Sequence, residues 1–89
     1  MRTIGPKSSR ELREIGIETR DHLAQAGIEE TTRRLLFRFG GEKTISVNYL
    51  YALEGAIHDH DWSDISPARK DDIRALLKRL RDELARNAQ

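Results

Sequence analysis

The reading turns on residues 12–28, Leu12-Arg13-Glu14-Ile15-Gly16-Ile17-Glu18-Thr19-Arg20-Asp21-His22-Leu23-Ala24-Gln25-Ala26-Gly27-Ile28. The pattern Leu-x-x-x-Gly-Ile occurs twice, at Leu12–Ile17 and again at Leu23–Ile28. Glycine just past a helix takes the left-handed C′ position, and an isoleucine after it can fold back on the leucine of the last turn. The spacing therefore predicts two short helices, each stopped by a glycine. The first runs from about Ser9 to Ile15. The second is capped by Thr19, has Asp21 in its first turn where the helix dipole favours an acid, and ends at Ala26. Helices this short are not stable alone in water, so packing must hold them.

Working outward, Thr3-Ile4-Gly5-Pro6-Lys7-Ser8-Ser9-Arg10-Glu11 contains a Gly5-Pro6 turn. Ser8 with Glu11 three residues on has the form of a capping box. Residues 29–39 predict a third helix with Leu35, Leu36 and Phe39 on its apolar edge and Arg33, Arg34 and Arg38 elsewhere. Gly40-Gly41 ends it. Ser46 caps a fourth helix from Val47 to about Asp59; at about 100° per residue, Val47, Leu50, Leu53 and Ile57 share a face. Trp62 reads as a core plug in the connector that follows. Ser66-Pro67 then opens a last helix with Ser at the N-cap and Pro at N1. Its apolar stripe is Ile73, Leu76, Leu77, Leu80 and Leu84, and its final turns either fray or pair with another chain. No segment alternates long enough for a strand. The expectation is one all-α domain over residues 1–89, a compact bundle of about five helices.

Composition narrows the function classes. The chain has 89 residues, 37% hydrophobic and 35% charged, too apolar for simple disorder and without a long apolar run for a membrane span. With no Cys there is no disulfide framework and no thiolate chemistry. The opening MRTIGPKSSR has no apolar core of a signal peptide, so a cytoplasmic location is expected. The net charge of +1 is unevenly spread: residues 1–13 carry four bases and one acid, residues 46–66 four acids and no base, residues 67–89 seven bases and four acids. A bipolar surface favours docking to a partner or to itself over nucleic acid, where a whole domain is usually basic.

Several residues are candidates for chemistry. Gly5, Lys7, Ser8, Ser9 and Arg10 could present N–H groups and charge to a DNA phosphate; they read equally as a turn that caps the first helix and anchors Ile4. Glu54 projects between Leu50 and Ile57 on the apolar face, where a carboxylate must be paired or hydrogen-bonded. It is either a structural buried acid, held by backbone N–H groups or an arginine, or a functional one, a ligand contact or an acid/base. Ala52, Gly55 and Ala56 make a small-residue face suited to a close helix crossing, within the fold or across a dimer. Arg74, Lys78 and Arg81 form a basic ridge, either a salt-laced solvated face or a dock for an acidic partner. His58-Asp59-His60-Asp61 has metal-ligand residue types, but alternate positions on a helix point apart, and no metal or other cofactor is expected. No nucleophile elbow, phosphate loop or deep pocket is legible, so no enzyme activity and no small-molecule substrate are expected.

The order of motifs resembles the C-terminal domain of the TfoX/Sxy family, regulators of DNA-transformation competence in bacteria. The resemblance rests on Ile4-Gly5-Pro6-Lys7-Ser8, Leu12-x-x-x-Gly16-Ile17, Leu23-x-x-x-Gly27, Ser46–Ala56, Trp62 and Pro67-Ala68-Arg69-Lys70, with Tyr51-Ala52-Leu53-Glu54-Gly55-Ala56 the most specific run. It covers roughly residues 3–77. It implies a small helical domain related to helix-hairpin-helix and SAM-like folds, and a non-enzymatic role in gene regulation. The family's N-terminal α/β domain does not precede it here, so a stand-alone copy is expected. The expected partner is a protein or a second copy of the chain. DNA contacted through the Gly5–Ser9 hairpin is the alternative.

Overall fold

The computed structural model describes residues 4–41, 44–59 and 64–87. Within them lie four α-helices, α1 Pro6–Glu14, α2 Arg20–Phe39, α3 Val47–His58 and α4 Pro67–Asn87, and no strand. The all-α expectation holds, but the helix count is four. The expected second and third helices meet at Gly27 without an intervening linker, so they form the two arms of α2. Gly27 itself is not helical: its φ of 80° and ψ of 169° lie in a region open essentially to glycine alone.

At Gly16 the chain closes a Schellman motif. The N–H of Ile17 donates to the carbonyl of Leu12 at 2.9 Å, and the N–H of Gly16 to that of Arg13 at 3.1 Å. Gly16 has a φ of 88°. The caps expected at Thr19, Ser46 and Ser66 are all present: their hydroxyls accept from the N–H groups of His22, Tyr49 and Arg69.

The capping box expected at Ser8 and Glu11 is not formed. Pro6, with φ preset for helix, starts α1 at the N1 position, so Gly5 becomes the N-cap and Ser8 lies inside the helix. Glu11 is buried and accepts from the hydroxyl of Tyr49 on α3 at 3.2 Å. Burial, then the Glu11 charge, pushes the Tyr49 phenol well above its ordinary pKa, while a hydrogen bond with Ser8 pulls the other way.

The core gathers all the repeat positions: Leu12, Ile17, Leu23 and Ile28 are buried together with Leu35, Leu36, Phe39, Leu50, Leu53, Ile73, Leu77 and Leu80. Val47, Ile57, Leu76 and Leu84, expected on the same apolar faces, pack against it half-buried. Helices α2, α3 and α4 pack against one another. Polar ties fix their crossings. Arg20 Nε, at the start of α2, donates to the carbonyls of Ala56 and Ile57 at 3.1 and 3.2 Å, placing a cation where the α3 dipole is negative. Tyr51 is buried on α3; its hydroxyl accepts from Arg74 of α4 at 3.0 Å and its ring lies 5.7 Å from the Lys70 ammonium. Arg79 of α4 donates to Glu29 of α2 at 2.8 Å. No helix is long and apolar enough to cross a membrane. Trp62, the expected core plug, lies outside the described residues, as does Thr3.

A side chain at Gly27 would meet nothing within 4 Å, so an alanine there is opposed by backbone conformation alone. Gly27→Ala should lower the unfolding free energy by about 1–3 kcal/mol in urea titration. Gly41→Ala, with an equally open position and no left-handed φ, should stay within about 0.5 kcal/mol.

Candidate functional site

The buried acid foreseen on α3 is present, and it is committed. Glu54 is 6% exposed. Arg69, in the first turn of α4, holds it with both arms of the guanidinium: Nε to Oε2 at 2.7 Å and Nη2 to Oε1 at 3.1 Å. His58 Nε2 lies 3.6 Å from Oε2. The bond to Glu54 raises the already high Arg69 pKa, so this cation stays charged at any working pH. Two-point pairing spends the carboxylate on joining α3 to α4. Of the two readings left open for Glu54, the geometry realises the structural one with an arginine partner.

The α1 start is only in part what a phosphate site needs. Gly5, Lys7 and Arg10 are exposed, but Ser8 and Ser9 are half-buried. The Ser9 N–H is taken by the Gly5 carbonyl at 2.9 Å, and Pro6 has no N–H to offer. Ile4 packs against the core, as the anchoring-turn reading requires. A shallow groove of about 320 Å³ beside this helix is lined by Arg10, Arg13 and Glu18.

The small-residue face is internal. Gly55 and Ala56 are buried and Ala52 is half-buried, so most of this face is covered within the chain. The basic ridge of α4 is divided. Arg74 serves Asp71 and Tyr51, Arg81 donates to the Ile45 carbonyl, and Lys78 is exposed. Arg79 and Glu83 reach across to α2, Arg79 to Glu29 and Glu83 to Arg33 at 3.5 Å. Among the described residues no group of three His, Cys, Asp or Glu side chains is placed to hold a metal. His60 and Asp61 lie outside those residues, and His22 Nδ1 accepts from the Glu18 N–H at 3.2 Å.

What the sequence reading missed is Phe37. It is 81% exposed, a large hydrophobic side chain left in solvent. The signal was available in the run Leu35-Leu36-Phe37-Arg38-Phe39. At about 100° per residue, Leu35, Leu36 and Phe39 fit one face and Phe37 falls roughly 150° from its centre. Phe37 stands between two open grooves of about 850 Å³ and 590 Å³, which share Leu84 and Asn87 of α4. Arg33, Arg34, Arg38 and Arg81 edge them. All four of these arginines are held in place, Arg33 by Glu29 at 3.3 Å and Glu83 at 3.5 Å. Arg34 donates to Glu30 at 2.8 Å and to the Ile15 carbonyl at 3.1 Å. Arg38 donates to Glu14 at 3.1 Å and lies 4.7 Å from the Phe39 ring centre. Arg81 is fixed by Ile45.

The family model of the TfoX C-terminal domain matches residues 1–77 of the chain. A crystal structure of an uncharacterized protein from Listeria monocytogenes is similar, with a TM-score of 0.77 and 26% identity over 89% of this chain and 86% of that one. No curated protein matches.

The Glu54–Arg69 pair is testable by removing each side in turn. Glu54→Gln leaves an arginine that can turn to water and should cost about 1–2 kcal/mol of stability. Arg69→Ala leaves a buried carboxylate without its main partner and should cost more, about 2–4 kcal/mol by denaturant titration.

Proposed function

The chain belongs to the TfoX C-terminal domain family, and from that premise we propose that it is a non-enzymatic, cytoplasmic module of gene regulation. In this reading it works by binding another protein, and its relation to helix-hairpin-helix and SAM-like folds is one of descent without the DNA contact. The observation that carries the reading is the exposure of Phe37 between two grooves walled by apolar side chains and arginines. Aromatic and arginine side chains are the types enriched at the centre of protein interfaces, and an anchored aromatic beside a pocket is a common hot spot. The buried acid supports the non-enzymatic reading, because Arg69 already occupies both its oxygens.

The alternative is phosphate binding by the α1 end, favoured by the exposed Arg10–Arg13 groove. Ser8 weakens it, since its hydroxyl is engaged with Tyr49.

Affinity capture from the native host extract should separate the two. The wild type and Phe37→Trp should retain the same discrete protein and Phe37→Ser should lose it, with the interaction reproduced by the purified pair. Helicity of Phe37→Ser should be unchanged, because an exposed side chain contributes little to folding. A steeply salt-dependent gel shift abolished by Lys7→Ala, with no Phe37-dependent partner, would establish the DNA reading in its place.

A further inference from the structure

We propose that the exposed side of α1 is a contact for the phosphate backbone of nucleic acid, indifferent to base sequence and separate from the Phe37 surface. Lys7, Arg10 and Arg13 make it.

The bases of the chain fall into two groups. On α2 and α4, Arg33, Arg34, Arg38, Arg69, Arg74 and Arg79 each hold a carboxylate. Lys7, Arg10 and Arg13 are exposed, and no acid among the described residues lies within ion-pair reach of any of them. At about 100° per residue the three fall within a sector of about 120° turned away from Leu12, and from Lys7 to Arg13 they climb about 9 Å. The fold also takes the acids of α1 out of competition. Glu11 is buried and accepts from Tyr49, and Glu14 is neutralised by Arg38. Glu18 remains at the rim of the groove that Arg10 and Arg13 line, one acid against two bases. The positive end of the α1 dipole adds to the field, and Gly5 gives it no side-chain cap.

This side of α1 is charged without being apolar, and that selects the occupant. A protein interface is built around an apolar core, and the exposed large hydrophobic side chain among the described residues is Phe37, on α2. A second copy would bring the exposed Asp59 and Asp64. Exposed ion pairs contribute about 0–1 kcal/mol each, too little to hold two chains without apolar contact. A nucleic-acid strand presents an unbroken row of charges, one per ~3.4 Å of helix axis, and the counterions released on contact drive the binding. A stripe of about 9 Å therefore meets two or three phosphates together. The hairpin contact is a different one. It relies on N–H groups at the start of α1, where Pro6 has none and that of Ser9 is taken. The stripe needs only side chains and reaches about two turns further along the helix.

Fluorescence anisotropy of the full chain with a labelled twenty-base-pair duplex of mixed sequence tests this. Raising the salt fourfold should weaken binding about 40-fold, the release expected from three phosphates. Lys7→Gln, Arg10→Gln and Arg13→Gln should each weaken binding at low salt and cut that salt effect to about 12-fold, as one contact is lost. These side chains are exposed, so helicity should be unchanged. Phe37→Ser and Lys78→Gln should leave binding as it is, and a duplex of unrelated sequence should bind equally well. No duplex binding at low salt, binding that ignores Arg13→Gln, an equal loss with Lys78→Gln, or tighter binding to a polyglutamate of matching charge or to vesicles containing phosphatidylserine would each overturn the proposal. Loss on Lys7→Gln alone would assign the contact to the hairpin and overturn the stripe. Phe37 lies outside the stripe, so a Phe37-dependent protein partner stands or falls without changing this result.

Discussion

Between Leu12 and Ile28 the chain turns at two glycines held at φ of 88° and 80°, and the rest of the packing depends on those reversals. Each places an apolar pair on the same side. Leu12 and Ile17 are both at or below 2% exposure, and Leu23 and Ile28 at or below 6%. Burying one such side chain is worth about 1.5–3 kcal/mol. The entropy lost by ordering a glycine is about 1 kcal/mol or less relative to alanine. Burial therefore outweighs the cost of the turn at both sites. It also explains how α1, only nine residues long, is stable: it is stapled to a core it could not form alone.

Features that depend on neighbours in sequence were legible, and features that depend on a helix crossing were not. The Schellman motif at Gly16 and the caps at Thr19, Ser46 and Ser66 are closed by residues within five positions, so their spacing encodes them. Ser8 and Glu11 have the same local signature, yet a partner 38 residues away took Glu11 instead. The buried setting of Glu54 followed from its angle on α3. Its partner did not, because Arg69 reaches it only through the packing of α4 on α3. Gly55 and Ala56 illustrate the same limit: small residues announce a close approach without saying whether the approaching surface is internal. Phe37 was missed for another reason. Apolar periodicity identifies the face that is buried, and a large apolar residue off that face is a functional signal that a core-seeking reading discards.

The arginines around Phe37 connect the fold to the candidate site. Arg34 and Arg38 hold the end of α1 through the Ile15 carbonyl and Glu14, and Arg81 holds the segment before α3 through the Ile45 carbonyl. The Arg38–Glu14 ion pair is exposed and contributes about 0–1 kcal/mol, while Arg34 and Arg81 tie backbone carbonyls. Their placement has a second consequence, because the groove walls are set by where α1 and the Ile45 segment sit. The glycine stop at Gly16 thus shapes the Phe37 surface as well as the core. It fixes the position of Ile15, whose carbonyl positions Arg34, which in turn edges the groove. A substitution that loosens that stop would alter the recognition surface without touching any residue that lines it apart from the Ile15 contact.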